Sequence, residues 1–153
     1  MGPGPKPPTD AEILFGFFNE IGIIAQLSGN AFERAMPEGM TLPQFSVLNH
    51  MVRLGDGWSP LRIANAMQVT KGAMTNTLQH LERKDLIEVK PDEKDGRAKR
   101  VFITDAGRTM RDQCIATMIP YMNNFAKSHP PAELAAILPA LQEIRTWLDK
   151  ERE

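Results

Sequence analysis

The residues best suited to chemistry lie between Lys71 and Arg100. Over Thr70 to Arg83, placing residues at about 100° intervals gathers Met74, Thr77, Leu78 and Leu81 on one side of a helix. Gly72, Asn76, Gln79 and Arg83 fall opposite, with Lys71 and Thr75 on one flank and Ala73 and His80 on the other. A side-chain amide can bond adenine at N6 and N7 together, and glycine or alanine lets a helix approach closely, so this outer face suits a DNA major groove. A merely solvated helix would carry more Glu and Lys at (i, i+4) spacing. Downstream, Lys94 to Arg100 holds four basic residues (Lys94, Arg97, Lys99, Arg100) against one acid, Asp95. The Asp95-Gly96 dipeptide is a hairpin-turn signal.

Other chemistry finds no support. No nucleophile and base pair, no paired carboxylates on one face, no phosphate-cradling loop and no metal constellation stand out, so neither an enzyme nor a cofactor is expected. His50, His80 and His129 lie on three separate elements without zinc spacing. Cys114 excludes a disulfide within one chain and reads as a buried structural thiol. The formal net charge is −1, so attraction to nucleic acid must come from local patches. The most apolar run, Ile13 to Leu27, is interrupted by Asn19 and Glu20 and falls short of the roughly 20 residues a membrane helix needs. Asp10 and Glu12 stand where a secretory signal would be positive, and Lys6 replaces the hydroxyl residue of a myristoylation signal. A cytoplasmic protein without membrane attachment is the default expectation.

The elements that position these residues follow in order. Residues 1–8, MGPGPKPP, read as a disordered tail, because proline removes donors and glycine adds chain entropy. Thr9 or Asp10 opens a helix to about Met36, where Pro37 and Gly39 stop it. Leu14, Phe17, Phe18, Ile21, Ile24 and Leu27 form a broad apolar face that Ile13, Phe15 and Ile23 widen. A helix apolar over most of its circumference is covered on more than one side, and a partner subunit is the natural second cover. Thr41 or Leu42 starts the next helix, with Phe45, Leu48, Met51, Val52 and Leu54 at helical spacing up to Gly55. Ser59-Pro60 begins a short helix whose inner face is Leu61, Ile63, Ala64 and Met67, and Thr70 caps the one described above. Leu86 to Lys90 and Arg100 to Ile103 read as two strands, with Trp58 as a one- or two-residue strand beside them. Asp85 stands where a left-handed residue is usual. Thr104-Asp105 opens a fifth helix that Pro120 should kink. Ser128 or His129 caps a sixth, carrying a Leu134, Ile137, Leu138, Leu141, Ile144, Leu148 stripe. The fold class is mainly α with a small β wing: a winged helix-turn-helix flanked by N- and C-terminal dimerisation helices.

From Val69-Thr70-Lys71-Gly72 onward the chain resembles the MarR family of transcription regulators. The specific stretches are Leu81-Glu82-Arg83-Lys84-Asp85-Leu86-Ile87, then Asp95-Gly96-Arg97-Ala98-Lys99-Arg100-Val101, then Ile103-Thr104-Asp105-Ala106-Gly107. The resemblance implies one domain over 9–153, with 9–36 and 105–153 mainly dimerisation helices and 41–104 the DNA-binding lobe. It implies a homodimer, Arg97 in the minor groove, and Asp95 holding that arginine by a charge-assisted hydrogen bond. It also implies a small aromatic or phenolic effector bound between the lobe and the dimer helices, with no residue identified for it. The family often has arginine where this chain has Asn76 and Val89, which points to fewer phosphate or guanine contacts and hence a different operator or weaker binding, and it usually has glycine where this chain has Asp85.

The expected function is therefore a DNA-binding transcription regulator, a homodimeric repressor acting on double-stranded DNA at a pseudo-palindromic operator. Asn76 and Gln79 are assigned to base edges, Gly72 to the close-approach face, and Lys71, Thr75 and His80 to backbone or flanking bases. Arg97 is assigned to the minor groove, oriented by Asp95, and Lys94, Lys99 and Arg100 to phosphates. The rival reading is a winged-helix protein-interaction module without sequence-specific DNA binding.

Overall fold

A computed structural model describes residues 4–152. The first three positions of the expected tail and Glu153 lie outside these residues, while Gly4 to Thr9 is exposed and without regular secondary structure. The element order is α1 (Asp10–Ala35), α2 (Leu42–Leu54), α3 (Pro60–Met67), α4 (Lys71–Arg83), β1 (Ile87–Pro91), β2 (Lys99–Ile103), α5 (Asp105–Ser128) and α6 (Pro131–Glu151). This is the mainly helical, winged architecture read in the sequence. Two compact units divide the chain, one ending at Ile115 and the other beginning at Ala116.

Helix starts follow their capping residues. Thr9 and Glu12 form a capping box on α1, and the hydroxyls of Thr41, Ser59 and Thr70 accept the N–H three residues on in α2, α3 and α4. The start of α2 has two further grips. The Leu42 N–H donates to Glu33 Oε2 at 2.6 Å, a carboxylate from the end of α1. Lys84 Nζ, just past α4, donates to the Gly39 carbonyl and to Gln44 Oε1, and Gln44 is itself buried.

The core of the first unit gathers around Val47, Leu48, Met51, Ile63, Leu81, Ile87, Val101 and Cys114, all fully buried. It joins α2, α3, α4, the sheet and the first turns of α5. The antiparallel strands pair Ile87 with Ile103, Val89 with Val101 and Pro91 with Lys99. Trp58 makes the expected single bridge, to Val101. Asp85 takes the expected left-handed conformation, φ 56°, so the chain leaves α4 and turns into β1. The Thr104 hydroxyl donates to the Asp85 carbonyl and accepts the Gly107 N–H, which ties that turn to the start of α5.

Several local expectations are corrected. Leu54 and Leu61 are each 55% exposed, because helical spacing gives a periodicity without fixing the width of the buried stripe. Val47 and Gln44 occupy core positions in α2 instead. Ser128 belongs to α5, and α6 starts from Pro130 with no side-chain cap. Asp95-Gly96 lies in a turn, but Gly96 is not left-handed, so the strands are joined by the longer 92–98 loop and not by a two-residue hairpin.

No residue of α1 is buried within the chain, although its last turns pack on α2 through an edge-to-face Phe32–Phe45 contact at 4.6 Å. By length and composition α1 is also long and apolar enough to cross a membrane. The shorter Ile13 to Leu27 count missed this, because the helix extends well beyond that run and tolerates Asn19 and Glu20. In the second unit α6 likewise has no buried residue, and its Leu134, Ile137, Leu138 and Leu148 are exposed.

Candidate nucleic-acid interface

Helix α4 is held by its inner side. Met74, Leu78 and Leu81 are buried, and Gln68 in the left-handed conformation closes α3 so that Thr70 can cap α4. Lys71, Gly72, Thr75, Asn76 and Gln79 are consequently exposed, and His80 is half-buried. A Cβ built on Gly72 meets nothing within 4 Å, so packing does not demand glycine there and the outer face is open. The Thr75 and Thr77 hydroxyls donate to the carbonyls of Lys71 and Ala73, which leaves each oxygen as an acceptor. Arg83 Nε donates back to the Gln79 carbonyl. The Asn76 and Gln79 amides make no hydrogen bond to the described residues, so their donors and acceptors remain available.

Asn76 is turned toward α2. With Thr77 it lines an apolar groove of about 560 Å³ against Leu42, Pro43, Met67 and Val69. On the other side of Pro43 the same two residues meet a more polar groove with Glu33, His80 and Lys84. The expected recognition face is therefore split: Gly72, Thr75 and Gln79 look outward, while Asn76 and His80 look along the α2 flank.

The wing is organised by a residue that sequence reasoning missed. Asp92 Oδ1 accepts the N–H groups of Lys94 (2.8 Å) and Asp95 (3.2 Å), and its Oδ2 accepts Nε of Arg100. Arg100 also donates through its terminal nitrogen to the Gly57 carbonyl at 3.2 Å. The Arg100 guanidinium, and then the two N–H groups, hold the Asp92 carboxyl below the usual carboxylate range. The signal that would have found Asp92 is its spacing: an aspartate two and three residues before N–H groups that need acceptors. Asp95 behaves differently from what the family resemblance implies. Its Oδ1 accepts the Arg97 backbone N–H at 3.1 Å and not the guanidinium, because the 95–98 turn brings that N–H within reach first. The Arg97 guanidinium has no partner among the described residues and is exposed, as are Lys94 and Lys99. Counting from Asp92, the wing holds four basic residues against three acids (Asp92, Glu93, Asp95), so its positive charge is weaker than the shorter window suggests.

Behind the wing, the Arg62 guanidinium sits 3.8 Å from the Trp58 ring centre and His50 meets that ring edge-on at 4.4 Å. His50 Nε2 is buried without a hydrogen-bond partner among the described residues, and desolvation, then Arg53 and Arg62, push its pKa down. Burial pushes the Cys114 thiol up, which disfavours the reactive thiolate. No group of three or more metal-ligating side chains occurs among the described residues.

A model of the MarR family matches residues 38–98, the span of the helix-turn-helix and the wing up to its turn. No curated protein matches the chain. The transcriptional regulator BldR from Sulfolobus solfataricus superposes with a TM-score of 0.78 at 23% identity, covering 91% of this chain and 99% of that one. Wild-type MarR from E. coli in its apo form gives 0.72 at 23% identity, over 82% and 93% of the two chains. A mutant of that MarR complexed with operator DNA gives 0.70 at 22%, over 90% and 99%. At these identities the structural likeness is one of fold. The family match thus lies on the helix-turn-helix and wing, and the fold around it is the winged-helix fold of the solved MarR regulators.

Proposed function

We propose that the protein is a non-enzymatic, cytoplasmic transcription regulator that binds a pseudo-palindromic DNA operator as a homodimer and represses from it. The observation that carries the reading is the pairing of two displays, both without a partner among the described residues: the exposed amides of the α4 face and the Arg97 guanidinium of the wing. Asn76 and Gln79 are assigned to base edges, Gly72 to close approach, and Lys71, Thr75 and His80 to the backbone or flanking bases. Arg97 is assigned to the minor groove, where negative potential is enhanced over A·T-rich DNA, and Lys94 and Lys99 to phosphates. Support for a DNA partner comes from the fold shared with a MarR that was solved on operator DNA.

The homodimer rests on the outer helices. Contiguous apolar surface of this extent marks an interaction site, and α1 leaves Leu14, Phe18, Ile24 and Leu27 exposed. A second copy fits a symmetric reader, because two-fold protein symmetry matches two half-sites. Release by a small aromatic or phenolic effector follows from the family likeness alone. Such a ligand must bind the DNA-competent and incompetent states with different affinity.

The test is selection of bound duplexes from a random library, then titration of the winner at several salt concentrations. Two half-sites about one helical turn apart, with log affinity falling steeply against log salt, are expected. No enrichment and an affinity flat with salt would overturn the reading in favour of a protein-interaction module, which the net charge of −1 favours.

A further inference from the structure

We infer that Asp92 and Arg100 form a brace that fixes the wing on the segment between α2 and α3, making Arg100 a positioning residue for Arg97 and not a phosphate contact. The inference deepens the DNA-binding reading above and rests on it for its consequence, though not for its geometry.

Three observations carry it. First, the Asp92 carboxylate is saturated: its side chain is only 12% exposed, and it accepts two backbone N–H groups as well as the guanidinium. A typical surface ion pair has the guanidinium but neither the burial nor the backbone donors. Second, Arg100 spans two parts of the chain. It holds Asp92 at the wing base and the Gly57 carbonyl across from β2. That carbonyl belongs to a segment already locked on the sheet, where Gly57 N–H donates to the Val101 carbonyl at 2.7 Å and Val101 N–H donates to the Trp58 carbonyl at 2.9 Å. Third, the loop closes on itself. Asp92 N–H donates to the Ala98 carbonyl and Ala98 N–H donates to the Asp95 carbonyl, both at 2.9 Å. Arg97 stands inside this closed loop, so the brace sets the direction from which its guanidinium can reach DNA. Lysine at 100 would keep the charge, but a single ammonium lacks the planar fork that serves Asp92 and Gly57 together.

The alternative, that Arg100 contributes only charge, predicts the opposite sign at Asp92. Removing a carboxylate near DNA strengthens binding when charge alone matters. The brace predicts that Asp92→Asn weakens operator binding about tenfold, on the scale of a lost charge-assisted hydrogen bond, with the log affinity against log salt slope of wild type. Arg100→Lys and Arg100→Gln are expected to weaken it similarly, and the Asp92→Asn/Arg100→Gln pair to be no worse than either single change. Binding that tightens in Asp92→Asn, or a slope that falls by about one in Arg100→Gln while Arg100→Lys stays at wild type, overturns the proposal. A second arm needs no DNA: trypsin cleavage after Arg97 in the free, folded protein is expected to speed up several-fold in Asp92→Asn. Unchanged cleavage overturns the brace. If wild type binds no duplex while cleavage does speed up, the DNA reading fails and the brace stands.

Discussion

Replacing Gly107 by alanine is expected to destabilise the protein by about 2 kcal/mol, against the usual sign for an exchange in a helix. A Cβ built on Gly107 lies 2.1 Å from the Leu86 carbonyl oxygen, 2.8 Å from Ile103 Cγ1 and 3.1 Å from the Leu86 carbonyl carbon. Two of these atoms are backbone at the β1 side of the sheet, and the Leu86 oxygen is already engaged by the Thr104 N–H. A methyl therefore needs the start of α5 to part from the α4–β1 turn by about an ångström, which places the cost at or above the top of the ~1–3 kcal/mol range for overpacking. Alanine's entropic advantage in a helix returns roughly 0.5–1 kcal/mol, leaving a net loss near 2. For a chain of this size that lowers Tm by roughly 4–8 °C. Thermal melts read by circular dichroism at one fixed protein concentration measure it, since subunit association would make Tm concentration-dependent. Gly96→Ala is the control, because its Cβ meets nothing and its φ is not positive. A Gly107→Ala variant as stable as Gly96→Ala would refute the close-approach argument.

Four further outcomes follow from the geometry. Asp85→Gly should raise stability by about 0.5–1 kcal/mol in urea titration, since φ 56° costs aspartate what glycine does not lose; a loss would show that the Asp85 side chain is needed. His50 has a folded pKa below its unfolded value of 6.5, so the unfolded chain binds more protons between the two and stability should fall as pH drops below 6.5. Melts of wild type and His50→Phe between pH 7 and 5 check it, and equal pH slopes would count against a lowered His50 pKa. Arg97→Ala should weaken operator binding by about 1–3 kcal/mol, and an unchanged affinity would remove Arg97 from the interface. Ile24→Glu, at a position 60% exposed in the single chain, should convert a dimer to monomer in light scattering; a variant that stays dimeric would move the subunit interface away from this face of α1.

Much of the fold was legible because its punctuation is chemical. Thr9, Thr41, Ser59 and Thr70 are oxygen-bearing caps, Pro43 and Pro60 sit in first turns, and Asp85 fills a left-handed position, so element starts followed from side-chain hydrogen bonding alone. The site was legible only in part. Asn76 and Gln79 are both exposed as the helical period requires, but periodicity carries no information about α2, whose first turn claims the Asn76 side as a groove. Asp92 carried a local signal in its spacing to the Lys94 and Asp95 N–H groups, but its third partner, Arg100, becomes a neighbour only once the strands pair. The same dependence on loop geometry took Asp95 away from the Arg97 guanidinium and gave it a backbone N–H instead.

The grip on the start of α2 has a consequence for hydrogen exchange. The first amides of a helix have no intrahelical acceptor and ordinarily exchange with solvent as fast as a loop. Here the Leu42 amide points at a carboxylate that belongs to α1. Its proton can leave only when Glu33 lets go, so its exchange rate counts the openings of the joint between α1 and the lobe, separately from global unfolding. One exposed amide thus serves as a clock for whether the apolar helix and the winged helix move as a single piece.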